Sequence, residues 1–196
     1  MFTGIITHTG RVVGFKHGKQ ELGLETPGLA EKAAVGDSVA VDGVCLTVIS
    51  RERTTLSFNL SQETLSKTTL AGLKPRSVVN LEMPLTPNSL LGGHLVSGHV
   101  DFKGRVLKAA VKAPGKRLSL SFPREFKHLF IPKGSLAVNG VSLTIAQLGP
   151  SSLDVELIPA TLDTTNLGLL RPGDGVNIEC DMIGKYVYNW LNKEGR

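Results

Sequence analysis

The sequence predicts an all-β chain made of two copies of one folding unit, with a single α-helix at its C-terminal end. Three observations carry this. The stretch from Val41 to Val48 (VDGVCLTV) returns from Val138 to Ile145 as VNGVSLTI. Short β-branched runs recur along the chain, punctuated by turn residues. Apolar residues at helical spacing become convincing only from about Gly184 onward.

The repeat extends well beyond the eight residues. Residues 38–82 align with 135–179 without a gap, and 18 of the 45 positions are identical. An earlier block repeats at a slightly different offset, with Thr3-Gly4 answering Ser97-Gly98 and Gly10-Arg11-Val12 answering Gly104-Arg105-Val106. Repetition on this scale marks a tandem duplication of a unit of about 95 residues, within the usual size of a domain. The expected boundaries are 1–94, 95–184 and a terminal helix at 185–196.

Within each copy the elements follow in order. Ser38 to Val41, Leu46 to Ile49, Leu56 to Leu60 and Val78 to Glu82 are short, β-branched and partly alternating, which suits strands. Asp42-Gly43 and Asn139-Gly140 each sit between two such runs, a strong hairpin signal. Lys74-Pro75 and Arg171-Pro172-Gly173-Asp174 mark a second turn at matching places. Between them, Glu63 to Leu70 and Thr161 to Leu167 each fit one short helical turn. Many short strands per copy predict a closed barrel or a sandwich. At the C-terminus, Tyr186, Val187, Trp190 and Leu191 form an apolar stripe that calls for a covering surface, either another subunit or the space between barrels.

Composition narrows the function. The chain has 196 residues, 41% of them hydrophobic, and a net charge of +5. Its densest basic stretch, Lys103 to Arg117, contains no aromatic residue, and the whole chain has seven Phe, two Tyr and one Trp. A nucleic-acid face built on stacked bases is therefore disfavoured. No apolar run approaches the ~18 residues of a membrane span, and no signal peptide is visible, so a cytoplasmic location is expected. Cys45 and Cys180 match neither zinc nor disulfide-scaffold spacing, and His94 and His99 lack further nearby ligands, so no metal is expected. His8, His17 and His128 read as surface residues.

Taken together, the opening MFTGII, the stretch from Asp42 to Val48, Glu63-Thr64-Leu65 and the run GGHLVSGHVD from Gly92 to Asp101 resemble the riboflavin synthase family. So do Lys133-Gly134, the stretch from Asn139 to Thr144, Ile158-Pro159 with Thr161-Leu162, Val176 to Glu179 and Lys185 to Val187. The resemblance spans the whole chain. It implies a homotrimer whose subunits each hold two tandem six-stranded Greek-key β-barrels and a C-terminal α-helix. The implied reaction is the dismutation of two 6,7-dimethyl-8-ribityllumazine molecules to riboflavin and 5-amino-6-ribitylamino-uracil, without metal or cofactor. Association with lumazine synthase is a further expected partnership.

The resemblance also implies two substrate pockets. The first would use Gly4, Ile5 and Ile6, then Cys45, Leu46 and Thr47, and the run Asn59, Leu60, Ser61, Gln62, Glu63 and Thr64. The second would use Gly98, His99 and Val100, then Lys133, Ser142, Leu143 and Thr144, and the run Glu156, Leu157, Ile158, Pro159, Ala160 and Thr161. Catalytic candidates are Cys45 as nucleophile or proton-transfer group, Ser142 as its counterpart, Asp181 as base or hydrogen-bonding partner, Ser38, and His99, with His94 structural. The family usually has a carboxylate at Asn139, an acidic or His residue at Ala160, and an acidic residue at Thr7. Pro84 and Pro87 likewise set residues 83–89 apart from its charged linker. The alternative is a non-catalytic antenna protein that binds one lumazine or flavin, which loss of the cysteine and decay of one pocket would mark.

Overall fold

A computed structural model describes residues 1–193. Six strands close each of two barrels. The first barrel contains β1 (His8–Lys16), β2 (Glu21–Glu25), β3 (Ser38–Val41), β4 (Val44–Glu52), β5 (Thr55–Asn59) and β6 (Val78–Glu82). The second contains β7 (Phe102–Lys112), β8 (Gly115–Ser121), β9 (Ser135–Val138), β10 (Val141–Leu148), β11 (Ser152–Leu157) and β12 (Gly175–Cys180). The hydrogen-bonded circuit is β1-β2-β5-β4-β3-β6 in one and β7-β8-β11-β10-β9-β12 in the other. These are one and the same Greek-key topology, as expected of a duplication. The basic stretch from Lys103 to Arg117 falls in the β7–β8 hairpin. Short helices α1 (Gln62–Lys67) and α2 (Pro159–Thr164) occupy the places where one helical turn is predicted. No helix among the described residues is long and apolar enough to cross a membrane.

Alternation along the strands builds each core. In β4, Val44, Leu46 and Val48 point inward while Cys45 and Thr47 point out. In β10, Val141, Leu143 and Ile145 do the same, leaving Ser142 and Thr144 outside. The second core carries a cluster of Phe102, Phe122 and Phe130. The first relies instead on Phe58 with Leu22, Leu24 and Leu56.

The two hairpin turns touch back to back. Asp42 and Gly43 take φ of +45° and +76°, and Asn139 and Gly140 take +46° and +78°. Such paired positive values define a two-residue turn that favours Asn-Gly or Asp-Gly. A Cβ on Gly43 would lie 2.5 Å from the Gly140 amide nitrogen, so the contact admits no side chain. Around it runs a buried polar network. Asn80 donates to the Asn139 carbonyl and Asn177 donates to the Asp42 carbonyl, both at 2.9 Å. The Asn80 amide donates to Asp42 Oδ1, and the Asn177 amide donates to Asn139 Oδ1, both at 2.8 Å. A small apolar cluster of Phe2, Ala40, Val96 and Ala137 completes the seam.

The terminal helix α3 (Met182–Lys193) begins two or three residues earlier than predicted. Asp181 causes this, since its Oδ1 accepts a hydrogen bond from the Ile183 amide at 3.0 Å, as an N-cap does. Residues 194–196 of the predicted helix lie outside the described residues. On α3 the apolar stripe is uncovered, with Tyr186 70% and Trp190 64% exposed.

Burial pushes the Asp42 carboxyl up to about 7, against the hydrogen bonds from Asn80 and Asn166. The native state therefore keeps a proton that the unfolded chain releases in the ordinary carboxylate range. The stability this gives is present at acid pH and lost as pH rises through about 7. We expect Asp42→Asn, which copies Asn139, to melt close to wild type at pH 4.5. At pH 8.5 it should melt roughly 3–6 °C higher, the shift for ~1–2 kcal/mol in a chain of this size. Parallel loss of stability in both proteins between those pH values would exclude Asp42 as the source.

Candidate active site

The predicted site residues fall into two groups on the outer faces of the barrels. Cys45 is half-buried and Thr47 exposed on β4, with Ser38 opposite Thr47 at the start of β3. The β4–β5 register sets Val48 opposite Phe58, which brings Thr47 alongside Asn59. Leu60 is buried, and the exposed Ser61 caps α1 by accepting from the Thr64 amide at 3.0 Å. Gln62, Glu63 and Thr64 form the first turn of that helix. On the second barrel, Ser142 and Thr144 stand where Cys45 and Thr47 stand on the first. Glu156 lies next to last in β11, and Ile158 leads into α2 with Pro159 at its first turn, where Pro is pre-organised for the helix. Ala160 and Thr161 follow in α2. Leu46, Leu60, Leu143 and Leu157 give their side chains to the cores, so outward they offer only backbone groups.

The structure exchanges the two glycine segments between the predicted pockets. Gly4 lies against the second barrel, its carbonyl accepting from the Ser142 amide at 2.8 Å. Gly98 lies against the first barrel, its carbonyl accepting from the Cys45 amide at 2.8 Å. The next residues follow suit, since Ile6 packs on the second core and Val100 on the first. The grouping therefore becomes Cys45 with Gly98, His99 and Val100, and Ser142 with Gly4, Ile5 and Ile6. The physical reason is that β5 and β11 pair only from Val48 and Ile145 onward, which leaves free the amides of Cys45 and Ser142, the second residues of β4 and β10. A crossing segment from the opposite half satisfies them.

Other predicted residues have identifiable local tasks. Glu156 is ion-paired with Lys112 and Arg117, which hold its carboxyl down at about 2. Lys133 is exposed in a turn with φ of +65°. His99 is exposed, and its amide donates to Ser97 Oγ at 3.2 Å. Asp181 sits on the second barrel's side, near enough to His94 to favour its protonated form.

Sequence reasoning underrated His94. Its Nδ1 is hydrogen-bonded to Ser142 Oγ at 2.7 Å, and its Nε2 is buried without a partner among the described residues. Burial lowers the imidazole below its ordinary value, with Asp181 and Glu179 pulling the other way. A mostly neutral imidazole bonded to a hydroxyl can pass a proton in either direction. The repeat held no signal for it, because the matching blocks begin only at Thr3 and Ser97.

Comparison with known proteins gives the arrangement its relatives. The lumazine binding domain family matches residues 3–84 and again 97–181. Riboflavin synthase of Bacillus subtilis is 38% identical over 195 residues, covering 98% of this chain and 91% of that protein. Riboflavin synthase of Mycobacterium tuberculosis is 36% identical over 201 residues and covers both chains fully. Among solved structures, LumP complexed with riboflavin superposes with a TM-score of 0.86 at 24% identity, covering 92% of this chain and 99% of that one. LumP complexed with 6,7-dimethyl-8-(1'-D-ribityl) lumazine gives 0.84 at 23%, with the same coverage.

Close approach at the crossing segments can be tested directly. A Cβ on Gly98 would meet the Cys45 Cβ at 2.6 Å, and its φ is +81°. Gly36 has a similar φ of +95° with open space around it. We expect Gly36→Ala to cost about 1–2 kcal/mol from backbone strain alone. Gly98→Ala should cost more in urea denaturation, because the segment must also lift off β4. Equal costs would mean that the segment can move without penalty.

Proposed function

Since this chain belongs to the riboflavin synthase family, with its twofold lumazine binding domain, we propose that it converts two molecules of 6,7-dimethyl-8-ribityllumazine into riboflavin and 5-amino-6-ribitylamino-uracil. The observation that carries this reading is the pair of equivalent outward-facing sites, one with Cys45 and the other with Ser142. A reaction between two copies of one molecule needs two similar seats, and the duplicated barrel supplies them. The reaction is a transfer: a four-carbon unit leaves the donor ring and completes the acceptor's new ring, so atoms and electrons balance without an outside oxidant.

The substrate brings much of its own reactivity, through an acidic C7 methyl and an electrophilic C7. Holding two rings face to face can be worth ~7–11 kcal/mol of the barrier. Backbone groups of the crossing segments and the hydroxyls of Thr47 and Thr144 suit the alternating donors and acceptors of the pyrimidinedione edge. Cys45 serves as nucleophile or proton carrier at one ring, and Ser142 with His94 as the proton-transfer pair at the other. Ser38, His99 and Asp181 remain contributors at the rims. Both sites open outward and the stripe on α3 is bare, which fits subunits meeting as a homotrimer to bring one site of each kind together. Lumazine synthase, the enzyme class that makes this substrate, is the further partner such an activity would bring.

Three tests follow from this. Incubated with the lumazine alone, the protein should generate riboflavin fluorescence, one product for every two substrates consumed. Binding without turnover would select the antenna function instead. Cys45→Ser should keep ligand affinity and lose turnover by about 10²-fold, the lower range for an acid–base group. Turnover within about threefold of wild type in both Cys45→Ser and Cys45→Ala would remove Cys45 from the chemistry. Deleting residues 186–196 should give a smaller species in light scattering that still binds riboflavin, and an unchanged mass would rule out α3 as the assembly element.

A further inference from the structure

Two buried carboxylates sit where the barrels exchange their segments, and neither is among the predicted site residues. Glu82 ends β6 of the first barrel, and Glu179 lies near the end of β12 of the second. They are 4% and 3% exposed. Glu82 Oε1 accepts from the Thr3 amide and the Thr3 hydroxyl, both at 2.7 Å, and its Oε2 accepts from the Gly4 amide at 3.0 Å. Glu179 repeats the pattern. Its Oε1 accepts from the Ser97 amide at 2.6 Å and the Ser97 hydroxyl at 2.7 Å, and its Oε2 from the Gly98 amide at 2.9 Å. A buried charge of this kind persists only when hydrogen-bonded, and bonds to a charged acceptor are the strong ones.

The held segments do not serve the barrel that holds them. Gly4, fixed by the first barrel's Glu82, presses on Ser142 of the second, where a Cβ would come within 2.6 Å of the Ser142 Cβ. Gly98, fixed by the second barrel's Glu179, presses in the same way on Cys45 of the first. We infer that Glu82 and Glu179 are positioning residues acting crosswise, each carboxylate of one barrel setting the shape of the pocket on the other. Their pocket role rests on the proposed function, but their hold on the segments does not.

Cys45 reports on this without any ligand, since it lies beneath Gly98. The other thiol, Cys180, is fully buried, and its pKa is pushed well up by burial. In the full-length protein, the rate of Cys45 alkylation by iodoacetamide is followed by peptide mapping, alongside thermal melts. Glu179→Gln places an amide NH2 among three donors, and it should speed Cys45 alkylation about tenfold or more, the worth of one lost bond to a charged group. Glu82→Gln should leave that rate within about twofold, because its segment lies over Ser142. Ser97→Ala, which keeps the carboxylate and removes one donor, should act in the same direction as Glu179→Gln, with Thr3→Val as its silent counterpart. These two carry the test if either glutamine variant fails to fold. Equal acceleration from both halves, or none from Glu179→Gln and Ser97→Ala, overturns the crosswise assignment. Riboflavin protection of Cys45 is then titrated in each variant, and Glu179→Gln and Ser97→Ala should weaken it while Glu82→Gln and Thr3→Val leave it unchanged. If riboflavin fails to protect Cys45 even in the wild type, the pocket function falls, while the ligand-free rates still decide the crosswise hold.

Discussion

Everything in this molecule is arranged about the contact between Gly43 and Gly140 and the amide network around it. Buried polar groups cost free energy unless paired, and here each Asn side chain is paired across the seam with a turn of the other barrel. Asn80 also accepts from the Asn166 amide, and Asn177 accepts from the Thr69 amide, so the segments after α1 and α2 are tied to the same axis. The network sets the angle between barrels. Once that angle is set, residues 2–5 can cross one way and residues 96–100 the other, meeting as an antiparallel bridge between Phe2 and Val96.

That crossing explains why the candidate sites are outside the barrels. Their interiors are filled by Leu46, Phe58, Leu81 and their counterparts, leaving no room for a ring. What a barrel offers a ligand is the outer face of one strand, a helix start and a borrowed backbone segment. The strand face differs between copies, cysteine in one and serine in the other, and so does the helix start, where Ser61-Gln62-Glu63 answers Ile158-Pro159-Ala160. Chemical asymmetry has entered at a few positions while the scaffold stayed symmetric.

Much of this was legible in the sequence because it rests on local chemistry. The Asp-Gly and Asn-Gly turns announce their hairpins through backbone geometry, and the gapless repeat announces two units of equal topology. The strands at the start of each copy were harder to see. Gly10, Gly14 and Gly23 dilute the β-branched pattern of β1 and β2, although both strands form in the barrel. Where a segment outside regular structure comes to rest depends on which barrel has unpaired amides, and no periodicity records that. The pairing of Gly4 with Cys45 failed for this reason. A clue did exist: Glu82 and Glu179 are acidic residues closing apolar strands, repeated in both copies, and a buried charge kept twice implies partners that local pattern cannot name.

Joining the halves covalently has a consequence for the seam itself. In a symmetric pair of separate chains, every substitution on the shared axis appears twice and faces its own image. An Asp at the turn would then set two buried carboxylates close together. A tether removes that restriction and holds the halves at a fixed local concentration, whatever the dilution. Asp42 opposite Asn139 is an arrangement open only to a chain whose two faces can change independently, and it leaves a titratable group on one side of the axis alone.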